Sequence, residues 1–124
     1  MDKKRIVLIC DNDEAGVQTI SQALTDKGYA VSTLNDATSL VSEASRQRPS
    51  AIIINPDLNG FNEYDICKKL IQEINIPVIL IVNKDSTARA QIGDCSPIAV
   101  MEKPVVISNL INEVEQQIAI SSNE

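Results

Sequence analysis

Residues 6–13 read IVLICDND, an unbroken apolar run that ends directly in Asp11, Asn12 and Asp13. The run does not alternate with polar residues, and β-branched side chains make up most of it. Such a run is typical of a strand covered on both faces, as in a parallel sheet between layers of helices. Residues 6–10 are therefore predicted to form a buried strand whose carboxyl end presents polar side chains.

Further apolar runs along the chain have the same character and predict further strands. They are Tyr29–Leu34, Ala51–Ile54, Val78–Val82 and Ile98–Met101. Between the runs, apolar residues recur at spacings of three and four positions, which is typical of amphipathic helices. These positions are Val17, Ile20 and Leu24; Ala37, Leu40, Val41 and Ala44; Tyr64, Cys67, Leu70, Ile71 and Ile74; and Ile107, Leu110, Ile111, Val114 and Ile118. Asp85–Gly93 is the least periodic segment, so its helix is predicted to be short or mobile.

The first of these helices carries clear signals at both ends. Asp13 is a candidate N-cap, and Gly28 is a candidate stop after Lys27. Strand and helix therefore alternate five times, which predicts an α/β fold with a doubly wound parallel sheet. Ligands of such folds bind beyond the carboxyl ends of the strands. The residues there are Asp11–Asp13, Asn55–Asp57, Val82–Asn83 and Glu102–Lys103.

Length and composition describe one ordinary globular unit. The chain has 124 residues, 44% of them hydrophobic, which predicts one domain over residues 1–120, with 121–124 as a tail or the start of a linker. The sequence has no histidine, so it lacks the usual base of Ser and Cys hydrolases and the commonest transition-metal ligand. Cys10, Cys67 and Cys95 are odd in number and widely spaced, which predicts packing residues and not a disulfide or metal framework.

The charge of the chain restricts its partners. A formal net charge of −6 opposes binding to a nucleic-acid backbone, and no tryptophan is present to stack on bases. The apolar run at residues 6–10 is too short for a signal peptide or a membrane span. A cytoplasmic protein without direct contact to nucleic acid or membrane is therefore expected.

Four features occur in order, each at its proper place on a strand: the end Asp11-Asn12-Asp13, the end Ile-Ile-Ile-Asn55, the start Ile76-Pro77-Val78 and the pair Lys103-Pro104. Together they resemble the response-regulator receiver family of two-component and phosphorelay signalling, and the match covers nearly the whole chain. The resemblance implies a (βα)5 flavodoxin-like three-layer sandwich with strand order 2-1-3-4-5.

In that family, two acids after the first strand bind Mg²⁺, an aspartate after the third accepts phosphate, and a lysine after the fifth contacts the phosphoryl group. A hydroxyl residue after the fourth strand and an aromatic residue on the fifth strand relay the conformational change that phosphorylation causes. The matching positions are Asp11 and Asn12 for the acids, Asn55 for the acceptor, Val82 for the hydroxyl, Val100 for the aromatic residue and Lys103 for the lysine. Asp11 and Lys103 alone keep the family's residue type.

These replacements predict a degenerate pocket. The amide of Asn55 cannot form an acyl phosphate, since its lone pair is delocalised. One carboxylate, Asp11, against one ammonium, Lys103, leaves the pocket near neutral, so Mg²⁺ binding is expected to be weak or absent. Lys103 is then expected to pair with Asp11 or to donate to the Asn55 carbonyl. Valines, Val82 and Val100, stand at the family's two switch positions, which implies a pseudo-receiver with no enzymatic activity and no cofactor. Such a domain is expected to bind a protein partner through its fourth helix, fifth strand and fifth helix.

Asp57 offers an alternative reading, in which the chain is a working receiver that accepts phosphate there with Mg²⁺. Asp57 lies on the same loop as the pocket. This register would place Pro56 inside a central strand, where proline removes a ladder hydrogen bond, and would misalign the Ile76-Pro77 and Lys103-Pro104 pairs. A solvated aspartate in a turn is the simpler interpretation of Asp57.

A flavin-binding protein of similar topology is a further alternative. It would need a Ser/Thr/Gly-rich phosphate loop after the first strand. Here Asp11, Asp13 and Glu14 would repel a phosphate. No small-molecule substrate is therefore expected.

Overall fold

The computed structural model describes residues 5–61, 65–84 and 99–122. Strands in these ranges are β1 (Ile6–Cys10), β2 (Ala30–Leu34), β3 (Ala51–Ile54), β4 (Val78–Val82) and β5 (Ala99–Glu102). Helices in the same ranges are α1 (Glu14–Asp26), α2 (Leu40–Gln47), α3 (Asp65–Glu73) and α4 (Ile107–Ser122). Helix α3 is of π type, and just beyond it the Ile74 N–H donates to the Lys69 carbonyl at 2.8 Å, the five-residue spacing of that helix.

The strands form one parallel sheet in the order β2-β1-β3-β4-β5, as expected. Alternate residues of the central strands point to opposite faces and build two apolar layers. Leu8, Ile52 and Leu80 pack on the side of α2 and α3. Val7 and Ile53 pack on the other side with α1 and α4. The predicted doubly wound three-layer fold is confirmed.

Helix α1 begins and ends where the sequence predicts. The Asp13 carboxylate accepts a hydrogen bond from the Gly16 N–H at 3.2 Å, which caps the helix. The helix ends at Asp26, and Gly28 follows with φ of 97°, a conformation that favours glycine. The cap places Asp13 at the carboxyl edge of the sheet.

Some boundaries differ from the prediction. Strand β2 begins at Ala30 and not at Tyr29, because the Tyr29 N–H donates to the Leu24 carbonyl at the end of α1. The Ala30 N–H donates to the carbonyl of Arg5, the residue before β1. Strand β5 ends at Glu102, one residue later than predicted.

Other predictions fall partly beyond the described ranges. Ile98, Tyr64 and the helix at residues 85–93 lie outside the described residues. Helix α4 includes residues 121 and 122, which the sequence assigned to a tail. Among the helices that the structure describes, none combines the length and the apolar character needed to cross a membrane.

Candidate functional site

The carboxyl ends of β1, β3 and β5 bring Asp11, Asn55 and Lys103 together. Backbone hydrogen bonds continue just past the strand ends and fix these residues. The Asn55 N–H donates to Cys10 at 2.9 Å, and the Lys103 N–H donates to Val82 at 2.9 Å. Asp11 and Asn55 are the buried polar residues of the described chain, with 8% and 4% of their surface exposed.

The Asn55 side chain is held at both ends. Its Nδ2 donates to Asp11 Oδ1 at 3.1 Å, and its Oδ1 accepts from the backbone N–H of Asp57 at 3.0 Å. The opposite amide orientation would set an oxygen against the Asp11 carboxylate and an NH₂ against an N–H, so the network determines the orientation. The acceptor position therefore presents a hydrogen-bonded amide.

Lys103 completes the pocket as its cation. Its Nζ lies 3.0 Å from Asp11 Oδ2 and 3.5 Å from Asp13 Oδ2. The contact with Asp11 is one of the two that the sequence predicts for Lys103. The Asn55 carbonyl, the other predicted partner, accepts from the backbone N–H of Asp57. The Asp11 side chain is 7% exposed and that of Lys103 23%, so water screens this pair only in part.

Asp13 has a second role that the sequence does not predict. Its carboxylate caps α1 and also faces Lys103. The hydrogen bond from Gly16 and the nearby Lys103 ammonium lower the pKa of Asp13, although some burial opposes the shift. Asp11 and Asp13 against Lys103 make a cluster of charge −1, so the expected near-neutral balance of the pocket was wrong by one carboxylate.

Asn12 and Asp57 lie at the exposed edge of the site. Asn12 is exposed beside Thr33 and Asn35. Asp57 is exposed in the turn after β3, where the Leu58 N–H donates to the Asn55 carbonyl at 3.3 Å. The structure thus places Asn55, and not Asp57, at the buried end of the strand.

The two switch positions are valines with different surroundings. Val82 is 2% exposed at the end of β4, directly beside the pocket. Val100 is 37% exposed on β5, with its side chain already partly in solvent. Neither residue has a hydroxyl or a ring.

Cys10 lies under the site at the end of β1. Its thiol is fully buried and donates to the Asp36 carbonyl at 3.2 Å. Burial, with smaller contributions from the negative charges of Asp36 and Asp11, raises the pKa of Cys10 to about 12. The protonated thiol packs in the core, as predicted. The side chains of Cys67 and Cys95 lie outside the described residues.

Comparison with known proteins identifies this arrangement. The response regulator receiver domain matches residues 7–115. The "Probable transcriptional regulatory protein TcrX" of Mycobacterium tuberculosis is 32% identical over 84 residues, which cover 64% of this chain and 35% of that protein. This chain thus spans about a third of the length of that relative.

Solved structures share the fold. A CheY-like receiver domain protein from Methanospirillum hungatei superposes with a TM-score of 0.85 at 16% identity, over 98% of both chains. The receiver domain of the Pseudomonas aeruginosa sensor histidine kinase PA1611, solved with magnesium in its active-site cleft, gives a TM-score of 0.81 at 21% identity, over 94% of this chain and 99% of that one. With the family match over most of its length, the chain belongs to the response regulator receiver domain family.

Proposed function

We propose that this receiver domain is a pseudo-receiver of a two-component pathway, which acts by binding a protein partner without being phosphorylated. One observation carries the proposal: the acceptor position holds an amide, Asn55, whose NH₂ is bonded to Asp11. Phosphoryl transfer to this family's acceptor needs a carboxylate oxygen in line with the phosphorus. An amide that donates to its neighbour offers no such oxygen.

The residues present fit a Mg²⁺ ion poorly. Mg²⁺ binds through carboxylate oxygens in octahedral geometry. One oxygen of Asp11 faces the Lys103 ammonium at 3.0 Å and the other accepts from Asn55 and from the Asp13 N–H. Asn12, at the second acidic position, carries no charge. Lys103 thus already occupies one oxygen of Asp11, and the remaining negative charge lies on Asp13, whose carboxylate caps α1. We propose no cofactor and no enzymatic step.

The proposed partner surface comprises β5 and α4, together with the helix predicted at residues 85–93. Val100 on β5 and Val106 just before α4 are the exposed large hydrophobic residues of the described chain, at 37% and 57%. Aliphatic side chains on this face would be removed from water by a docked protein. The net charge of −6 supports a protein partner over direct contact with nucleic acid.

The first prediction concerns phosphorylation. Incubation with acetyl phosphate and Mg²⁺ is expected to leave the intact mass of the protein unchanged, because Asn55 is not a nucleophile. Asp57→Asn serves as the matched variant. A phosphorylated wild type whose modification disappears in Asp57→Asn would refute the proposal and establish Asp57 as the acceptor.

The second prediction concerns the metal. Millimolar Mg²⁺ is expected to raise the thermal midpoint no more than the same ionic strength of NaCl, because Asp11 is already neutralised by Lys103. Differential scanning calorimetry of the wild type and of Asp11→Asn makes the comparison. A saturable Mg²⁺ stabilisation that Asp11→Asn removes would contradict the proposal that Lys103 takes the place of a metal ion beside Asp11.

The third prediction concerns the partner surface. Immobilised protein is expected to retain a cellular partner that Val100→Arg retains about tenfold less, since an arginine replaces an apolar contact. Thr33→Arg is the control, because Thr33 is β-branched and exposed on the opposite edge strand, β2. Equal retention by both variants would place the interface elsewhere.

A further inference from the structure

A cavity of about 540 Å³ lies between α1 and the segment that joins β5 to α4. Ile20 and Ile81, with 7% and 1% of their surface exposed, line it together with Val105 and Ile107. Cavities of about 300–1,000 Å³ with mostly apolar walls are typical of small-molecule sites. This cavity adjoins the pocket of Asp11 and Lys103 but extends away from Asn55, along α1.

Small residues on α1 keep the cavity open. Gly16 lines it, and a Cβ at this position would lie 2.6 Å from the Asp13 carboxylate that caps the helix. Thr19, one turn later, also lines it, and its hydroxyl donates to the Ala15 carbonyl at 3.0 Å. The cap requires a small residue at Gly16, and the hydroxyl of Thr19 is satisfied within the helix. The part of the cavity wall that α1 forms therefore presents few polar groups without a hydrogen-bond partner.

The charges that the described residues contribute to the lining of the cavity cancel. Asp11 and Asp13 share the Lys103 ammonium, which leaves one negative charge, and Lys84 supplies one positive charge on the same lining. A lining without net charge gives no net attraction to an anionic or a cationic ligand, whereas either ion would lose hydration against the apolar walls. An uncharged ligand does not meet this desolvation cost. Lys84 and Asn83, both exposed, provide hydrogen-bond donors at the edge of the cavity.

We propose that this cavity is a binding site for an uncharged, mainly apolar small molecule with one hydrogen-bond acceptor, such as a hydroxyl or carbonyl group. The apolar part lies against Ile20, Ile81 and Ile107, and the acceptor lies toward Lys84. The molecule binds without reaction. The proposal is independent of phosphorylation, since no group of the acceptor position takes part.

Titration with 1-octanol, octanoate and octylammonium tests the proposal, because these probes share one apolar chain and differ in charge. The readout is the methyl NMR spectrum of the Ile, Leu and Val residues. Octanol is expected to shift the methyls of Ile20, Ile81 and Ile107 saturably and to bind about fivefold or more tighter than either ion. The methyls of Ile52 and Leu70 on the other face of the sheet are expected to stay in place.

Variants on the surface of α1 give the second arm. Thr19→Trp is expected to fill the cavity and weaken octanol binding about tenfold or more. Gln18→Trp is the matched control, since Gln18 is exposed on the same helix and does not line the cavity. The proposal is overturned if octanol gives no saturable shift, if it shifts methyls on both faces of the sheet alike, or if Thr19→Trp binds as tightly as Gln18→Trp.

Discussion

Replacement of Lys103 by alanine is expected to lower the free energy of unfolding by about 2 kcal/mol, in the range typical of a carboxylate left buried without its cation. The Asp11 side chain is 7% exposed, so the variant leaves a largely buried carboxylate without its cation. Asn55 and the Asp13 N–H would still donate to Asp11, which keeps the expected loss below that of an isolated buried charge. Urea denaturation with a shared slope measures the difference.

Two comparisons isolate the charge. Lys103→Met keeps the apolar stem, so it should lose nearly as much stability as Lys103→Ala if the ion pair is responsible. Lys84→Ala removes an exposed lysine that lines the neighbouring cavity and is expected to change stability by less than about 0.5 kcal/mol. An unchanged denaturation midpoint for both Lys103 variants would show that the pair contributes nothing to folding.

Strand positions were predictable because a strand that is buried on both faces has an uninterrupted apolar sequence. Residues 6–10, 51–54 and 78–82 are apolar without interruption, and the structure places each as a central strand with its predicted bounds. The cap at Asp13 was equally readable, since a carboxylate just before a helix satisfies a free N–H. These signals are local in the sequence, and the resemblance to a known family supplied the order of the strands.

The contact between Asp13 and Lys103 was not predictable from such signals. The two residues lie 90 positions apart and meet only because the N-terminus of α1 and the end of β5 reach the same edge of the sheet. The spacing of the two residues along the chain does not predict this contact. The same holds for the cavity beside α1, whose space depends on how α1 lies against the segment that joins β5 to α4. The sequence pattern therefore identified the residues of the site, and only their positions in the structure showed how their charges balance.

Repair of the acceptor is the prediction with the largest expected effect. Asn55→Asp alone supplies the missing nucleophile, but phosphorylation is expected to stay feeble. The new carboxylate loses the hydrogen bond at 3.1 Å to Asp11 and becomes a like charge beside it. Lys103 is then shared among three carboxylates, and Asn12 still offers no charge to a metal.

Addition of Asn12→Asp is expected to raise the rate of phosphate incorporation about tenfold or more above the single variant, because the added carboxylate favours a Mg²⁺ ion that neutralises the transferring group. Asn55→Asp with Asn59→Asp is the matched control. Asn59 is exposed on the turn after β3, so this pair has the same net charge without a new ligand in the pocket. Intact mass after a phosphodonor pulse measures incorporation.

The repaired site is expected to accept phosphate without causing a conformational change along β5. Val82 is buried beside the pocket with no hydroxyl to follow a phosphoryl oxygen, and Val100 has no ring that can change position. We therefore expect neither of these two positions to supply a second arrangement that phosphate could bias. Amide shifts of the phosphorylated double variant are expected near residues 11, 55 and 103 and not along β5. A fully active Asn55→Asp single variant would contradict the metal argument. A double variant whose β5 amides shift on phosphorylation would show that the fold retains a switch that does not depend on either valine position.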